Sequence, residues 1–155
     1  MRSTSTTLFL GFSVALTACG ADEHGAHSDA GYNCAVEDRD DEFAAGMQKT
    51  GAAGIRVGIA SAVPAPPQRG DNTWNVTIAD TNGAPVIGAT IAIKPFMPDH
   101  RHGTSIPATI TPGAAAGSYV IAPVNLWMPG LWETTIDVTT GSGRDSVVFR
   151  FCIAS

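Results

Sequence analysis

The stretch that decides the fold is Gly130-Leu131-Trp132-Glu133-Thr134-Thr135-Ile136-Asp137-Val138-Thr139-Thr140, closed by Gly141-Ser142-Gly143 and answered by Asp145-Ser146-Val147-Val148-Phe149-Arg150-Phe151-Cys152-Ile153. Both runs alternate at period two. Trp132, Ile136 and Val138 share one face of the first, and Val147, Phe149, Phe151 and Ile153 share one face of the second. That period belongs to half-buried strands, and Gly-Ser-Gly is a tight-turn signal that reverses the chain between them.

Five further runs of the same kind lie upstream, at Gly54 to Ala60, Thr73 to Ala79, Ala89 to Phe96, Ser105 to Thr111 and Gly117 to Val124. Seven short strands at this spacing predict an all-β chain, an immunoglobulin-like antiparallel β-sandwich. Parity places Ile55, Val57, Ile59, Trp74, Val76, Ile78, Ile91 and Ile93 inward with the faces named above. Cys152 then points outward beside Arg150. Ser61 to Asp71 carries three prolines and reads as a loop, and Asp80-Thr81-Asn82-Gly83 as a second tight turn. Glu37 to Lys49 predicts a short N-terminal helix, with acids in its first turn and Phe43 and Met47 at i, i+4. Met47 is on that reading a packing residue.

Ahead of the domain, Arg2 and the apolar run Leu8 to Leu16 form a leader too short to span a bilayer. Leu16-Thr17-Ala18-Cys19 fits a bacterial lipoprotein signal. The expectation is a signal peptide over residues 1–18, lipidation of Cys19, a flexible tether over 19–33 and a domain over 34–155. Several acyl chains would anchor the protein stably to a membrane. Gly20 after the cysteine points to the outer membrane facing the periplasm, within the cell envelope. A plain secretory signal is the alternative. His24 and His27 fall in the tether and read as solvated, with an auxiliary metal site as the other reading.

The formal net charge is −5 at pH 7, and eight of the fourteen acids lie between Asp22 and Glu42. With no basic stripe, nucleic acid is excluded as a partner class. Once Cys19 goes to lipid, Cys34 and Cys152 remain in a compartment where disulfides persist, and the expectation is that they pair. Two unrelated buried thiols are the alternative.

Chemistry concentrates in Met97-Pro98-Asp99-His100-Arg101-His102-Gly103 and in a later echo, Trp127-Met128-Pro129-Gly130. If each strand crosses the sandwich once, the loop after the third strand, the loop before the sixth and the proline-rich loop share one end. Met97 and Met128 would then face one another. Thioether sulfur suits Cu(I), imidazole suits both copper states, and a Met/His set avoids oxidisable thiolates, so copper is the metal such a cluster fits; zinc fits it less well. His100 and His102, two apart, would project the same way from an extended chain, with Asp99 as an outer carboxylate that could orient a ring and Trp127 as a cover over Met128. The competing reading has two methionines plugging a corner beneath a solvated loop.

The motif MPDHRHG, then Gly117-Ser118-Tyr119, then LWMPGLWETTIDV, resembles the YtkA-like family and its FixH-like relatives over residues 70–140. The resemblance implies an exported immunoglobulin-like module linked with copper handling or oxidase assembly. It places Met97, His100, His102 and Met128 at the family's characteristic positions. The paired cysteines and the segment before the domain are not part of that pattern. The leading function is thus a lipid-anchored extracytoplasmic module that binds or delivers copper. The alternative is a non-catalytic interaction module contacting an envelope protein without metal. Enzyme activity is not expected: Ser105 lies near the histidines, but no elbow or oxyanion hole accompanies it.

Overall fold

The computed structural model describes residues 32–155. The leader, Cys19 and nearly all of the expected tether, His24 and His27 included, lie outside the described residues. Tyr32, at the end of that stretch, lies beside Gly130 on the domain, and exposed Asn33 caps the turn that follows.

Among the described residues, nine strands build two antiparallel sheets. They are β1 (Met47–Thr50), β2 (Arg56–Val63), β3 (Gly70–Ala79), β4 (Thr90–Met97), β5 (His102–Gly103), β6 (Thr109–Pro112), β7 (Ser118–Leu126), β8 (Gly130–Thr140) and β9 (Gly143–Ile153). One sheet runs β1-β2-β3-β7-β6 and the other β5-β4-β8-β9. The all-β sandwich expected from the alternating runs is therefore the fold. Its seven expected strands are present, and two short ones, β1 and β5, are added.

The parity assignments describe the core. Trp74, Val76, Ile78, Trp132, Ile136, Phe149 and their inward neighbours on both sheets form one buried cluster, with Ile93 partly buried against it. Trp74 and Phe151 meet edge to face with centroids 5.6 Å apart across the layers, a favoured aromatic geometry. The hairpin joining β8 to β9 closes at Thr140 and Gly143, whose φ of 147° suits glycine. Asp80 ties the other turn, its Oδ1 accepting from the amides of Asn82 and Ala84, both at 2.8 Å.

The expected N-terminal helix over Glu37 to Lys49 is absent. In its place a single 3-10 turn, Cys34–Val36, leads into an extended strap that ends in β1. The reason lies in β9, an edge strand of its sheet. Its outward amides and carbonyls need partners, and the strap supplies them. The Asp41 amide donates to Arg150 O at 2.7 Å, and Asp41 Oδ2 accepts from Arg150 N, also at 2.7 Å. Asp40 accepts from Cys152 N at 3.4 Å. A short helix pays a nucleation cost for few hydrogen bonds, so acids that read as a helix first turn are better satisfied covering an open edge. Phe43 and Met47 still pack on the core, as expected of them, but from an extended chain, with Phe43 edge-on to Phe151 at 5.9 Å. Cys34 and Cys152 form a disulfide with Cα atoms 5.6 Å apart, which staples the start of this strap to the outward face of β9.

Candidate metal centre

Strand register brings the two Met-Pro loops to one end of the sandwich. Strands β4 and β8 are paired neighbours with Phe96 opposite Glu133, so β4 ends where β8 begins. Gly70 sits opposite Leu126, which places the proline-rich loop at that end too, and Arg69 Nε donates to Trp127 O at 3.0 Å. The three loops grouped by strand order in the sequence are therefore grouped in space.

Met97 is the last residue of β4. It is wholly buried and belongs to the core cluster. Its methyl lies against the backbone of Gly130, where an added Cβ would come within 2.5 Å of Met97 Cε. Gly130 also has φ 132°, so the opening of β8 needs glycine for both conformation and space. Met128 is partly buried against the same core, and Trp132 Nε1 donates to its carbonyl at 2.9 Å. Trp132 is the buried core residue its parity indicated, and its indole also fixes the second loop.

The histidines follow Met97 within a few residues of chain. Arg101 has φ 56°, and its amide donates to Met97 O at 2.8 Å, so the chain turns sharply before His102 enters β5 opposite Met97. The extended segment expected between the histidines is thus replaced by a turn. Even so, the His100 and His102 rings stand with centroids 5.7 Å apart. His102 stacks on Trp127 at 5.3 Å and 23°, so the ring expected as a cover over Met128 lies on a histidine of the first loop. His102 Nδ1 faces Gly103 O at 3.3 Å; with the proton on Nδ1 in that contact, Nε2 keeps its lone pair for a ligand.

Asp99 is engaged elsewhere. Arg39 grips it with Nη1 to Oδ1 at 2.9 Å and Nη2 to Oδ2 at 2.8 Å, and Tyr32 OH reaches Oδ2 at 3.4 Å. Hydrogen bonding by Arg39 holds its carboxyl below the usual carboxylate range. Glu37 joins the same network, accepting from Arg39 Nε and Nη2 at 2.7 Å each and from Tyr32 OH at 2.6 Å. Those bonds, Arg39's first, hold Glu37 at about 2, while the bond to Glu37 pushes the Tyr32 phenol up to about 12. Tyr32 and Arg39 carry no site signal in the sequence, and Glu37 reads there only as an acid opening the expected helix. Arg39 and Asp99 are 60 residues apart, and no local pattern marks such a pair.

The thioethers and imidazoles at this end are ligand types that a soft ion accepts. Among the described residues, no three or more His, Cys, Asp or Glu converge, and both described cysteines are in the disulfide. An ion at this end would thus depend on thioether sulfur beside imidazole, the combination Cu(I) accepts and harder ions do not favour.

This architecture, a two-sheet immunoglobulin-like sandwich with a loop cluster at one end, defines the class. Residues 51–137 match the family model described as YtkA-like, and the chain belongs to that family. A copper-bound single-substitution variant of FetP from uropathogenic Escherichia coli strain F11 is similar in structure, at 13% identity and a TM-score of 0.48, over 70% of this chain and 95% of that one. No curated protein matches the chain.

Proposed function

We propose that the protein is a lipid-anchored envelope module that binds or delivers copper, with Met97, His100, His102 and Met128 as the ligands and no catalytic role. The observation that carries this reading is the meeting of the two Met-Pro loops, made through the His102–Trp127 stack and the Met97–Gly130 contact. With the loops together, two thioethers and two imidazoles would be available to one ion at this end of the sandwich. Membership of the YtkA-like family is consistent with it. The anchor at Cys19 would hold the domain at the outer membrane, facing the periplasm, where a thiolate-free site tolerates the oxidising surroundings.

The test is a Cu(I) titration against a competing chelator. It uses protein lacking residues 1–18 and carrying Cys19→Ser, so that a free thiol does not compete. About one Cu(I) per chain is expected, as the ligand count implies. The Met97→Leu, His100→Ala, His102→Ala triple variant should lose it. Equal affinity in that variant would remove the site.

A second reading, docking of an envelope protein without metal, draws on Trp127, which is 45% exposed in the same loop cluster. Aromatic residues are enriched at protein interfaces. Full partner binding by metal-free protein would favour it.

A further inference from the structure

The chain from Tyr32 to Asp41 precedes the stretch matched by the family model. Its far end is fixed to β9 by the Asp41 and Asp40 carboxylates, which accept from the Arg150 and Cys152 amides, and its near end by the Cys34–Cys152 disulfide. Tyr32, just before the disulfide, and Arg39, between the anchors, both reach the Met97–His102 loop at Asp99. A Cβ on Gly130 would meet Tyr32 Cδ2 and Cε2 at 3.6 and 3.8 Å, and Met97 Cε at 2.5 Å. Gly130 is therefore in reach of both the phenol ring and the Met97 methyl. Arg39 then crosses from the strap to the loop and takes both oxygens of Asp99, the residue before His100. Glu37, with its side chain only 4% exposed, holds the other edge of the same guanidinium. A planar fork gripped from two sides fixes direction as well as distance.

We propose that the Tyr32–Arg39 segment is a clamp that positions the His100–His102 turn, with Arg39 as the gripping residue and the disulfide as its anchor. The purpose of the clamp rests on the copper reading; its existence does not. An exposed loop with a left-handed residue at Arg101 needs outside support to keep two imidazoles at one separation, and the strap provides that support from 60 residues away. Arg39 is a positioning residue here and touches no ligand-bearing ring.

The experiment is amide hydrogen exchange on metal-free protein, read at Arg101, whose amide is bonded within the turn, and at Ile136 in the centre of β8. Arg39→Gln should speed Arg101 exchange by about two- to fivefold, the scale of a partly exposed ion pair, and leave Ile136 unchanged. Arg39→Lys should recover only part of the protection, since it keeps the charge and loses the fork. A Cys34→Ser, Cys152→Ser double variant should speed Arg101 further. Wild-type Arg101 exchange in Arg39→Gln overturns the clamp whatever the metal result. Equal acceleration at Ile136 in Arg39→Gln also overturns it, because the effect would then be global. If Arg101 responds as expected but wild-type protein takes up no Cu(I), the clamp stands and the copper reading falls.

Discussion

Replacing Met97 separates its two roles, since the residue is at once core and proposed ligand. Its side chain is fully buried and packs within the cluster that holds Trp132 and Phe151. Met97→Leu conserves volume and should cost less than about 1.5 kcal/mol. Met97→Ala leaves a cavity beside Gly130 and should cost about 2–5 kcal/mol. For a domain of this size each kcal/mol moves Tm by about 3–5 °C, so the alanine variant should melt on the order of 10 °C lower and the leucine variant no more than about 7 °C lower than wild type. Both lose the sulfur, and both should lose Cu(I) affinity by at least ~10-fold, the lower end of what even outer partners of a metal site contribute. Thermal denaturation of metal-free protein and chelator competition with ascorbate as reductant, run on the same preparations, read the two effects. Wild-type affinity in Met97→Leu would refute the ligand role. Equal destabilisation by leucine and alanine would refute the packing role.

Three further outcomes are expected. Gly130→Ala should cost about 1–3 kcal/mol from its left-handed backbone, with more from the displaced Met97 methyl, whereas Gly141→Ala, with open space around it, should change Tm little. Removing the Cys34–Cys152 bridge, whose ends are 118 residues apart, should cost up to ~5 kcal/mol by loop-closure entropy, measured by urea denaturation of the double serine variant. Burial would raise the Asp145 carboxyl, but the amides of Ser146, Ile55, Ala53 and Ala52 together hold it below the usual aspartate range. Its contribution is therefore complete above pH 4 or so and is lost as pH falls through the lowered value, and Asp145→Asn, costing about 1 kcal/mol at neutral pH, should flatten the acid limb of a stability-against-pH curve.

The long strands were legible because their environment matches their period. Every residue assigned inward on β8 and β9 is buried, since each of these strands has one face on the core and one on solvent. The strap was not legible. Its acids, Phe43 and Met47 satisfy a helix pattern, and only the unpaired edge of β9, encoded a hundred residues later, makes the extended form better. Strand β5 is two residues long and carries no period to read. For the site, strand order alone brought Met97, His102 and Met128 to one end, because crossing a sandwich is a topological constraint. Asp99 could be picked out by its neighbours, yet its partner Arg39 could not, because side-chain pairing across 60 residues leaves no spacing signal.

The most direct test of the copper reading is X-ray absorption at the copper edge on protein over residues 19–155 with Cys19→Ser, loaded with one equivalent of Cu(I). The account expects sulfur and imidazole scatterers together, with sulfur reduced in Met97→Leu and in Met128→Leu. Failure to take up the ion, or a spectrum of nitrogen and oxygen ligands alone, would contradict it.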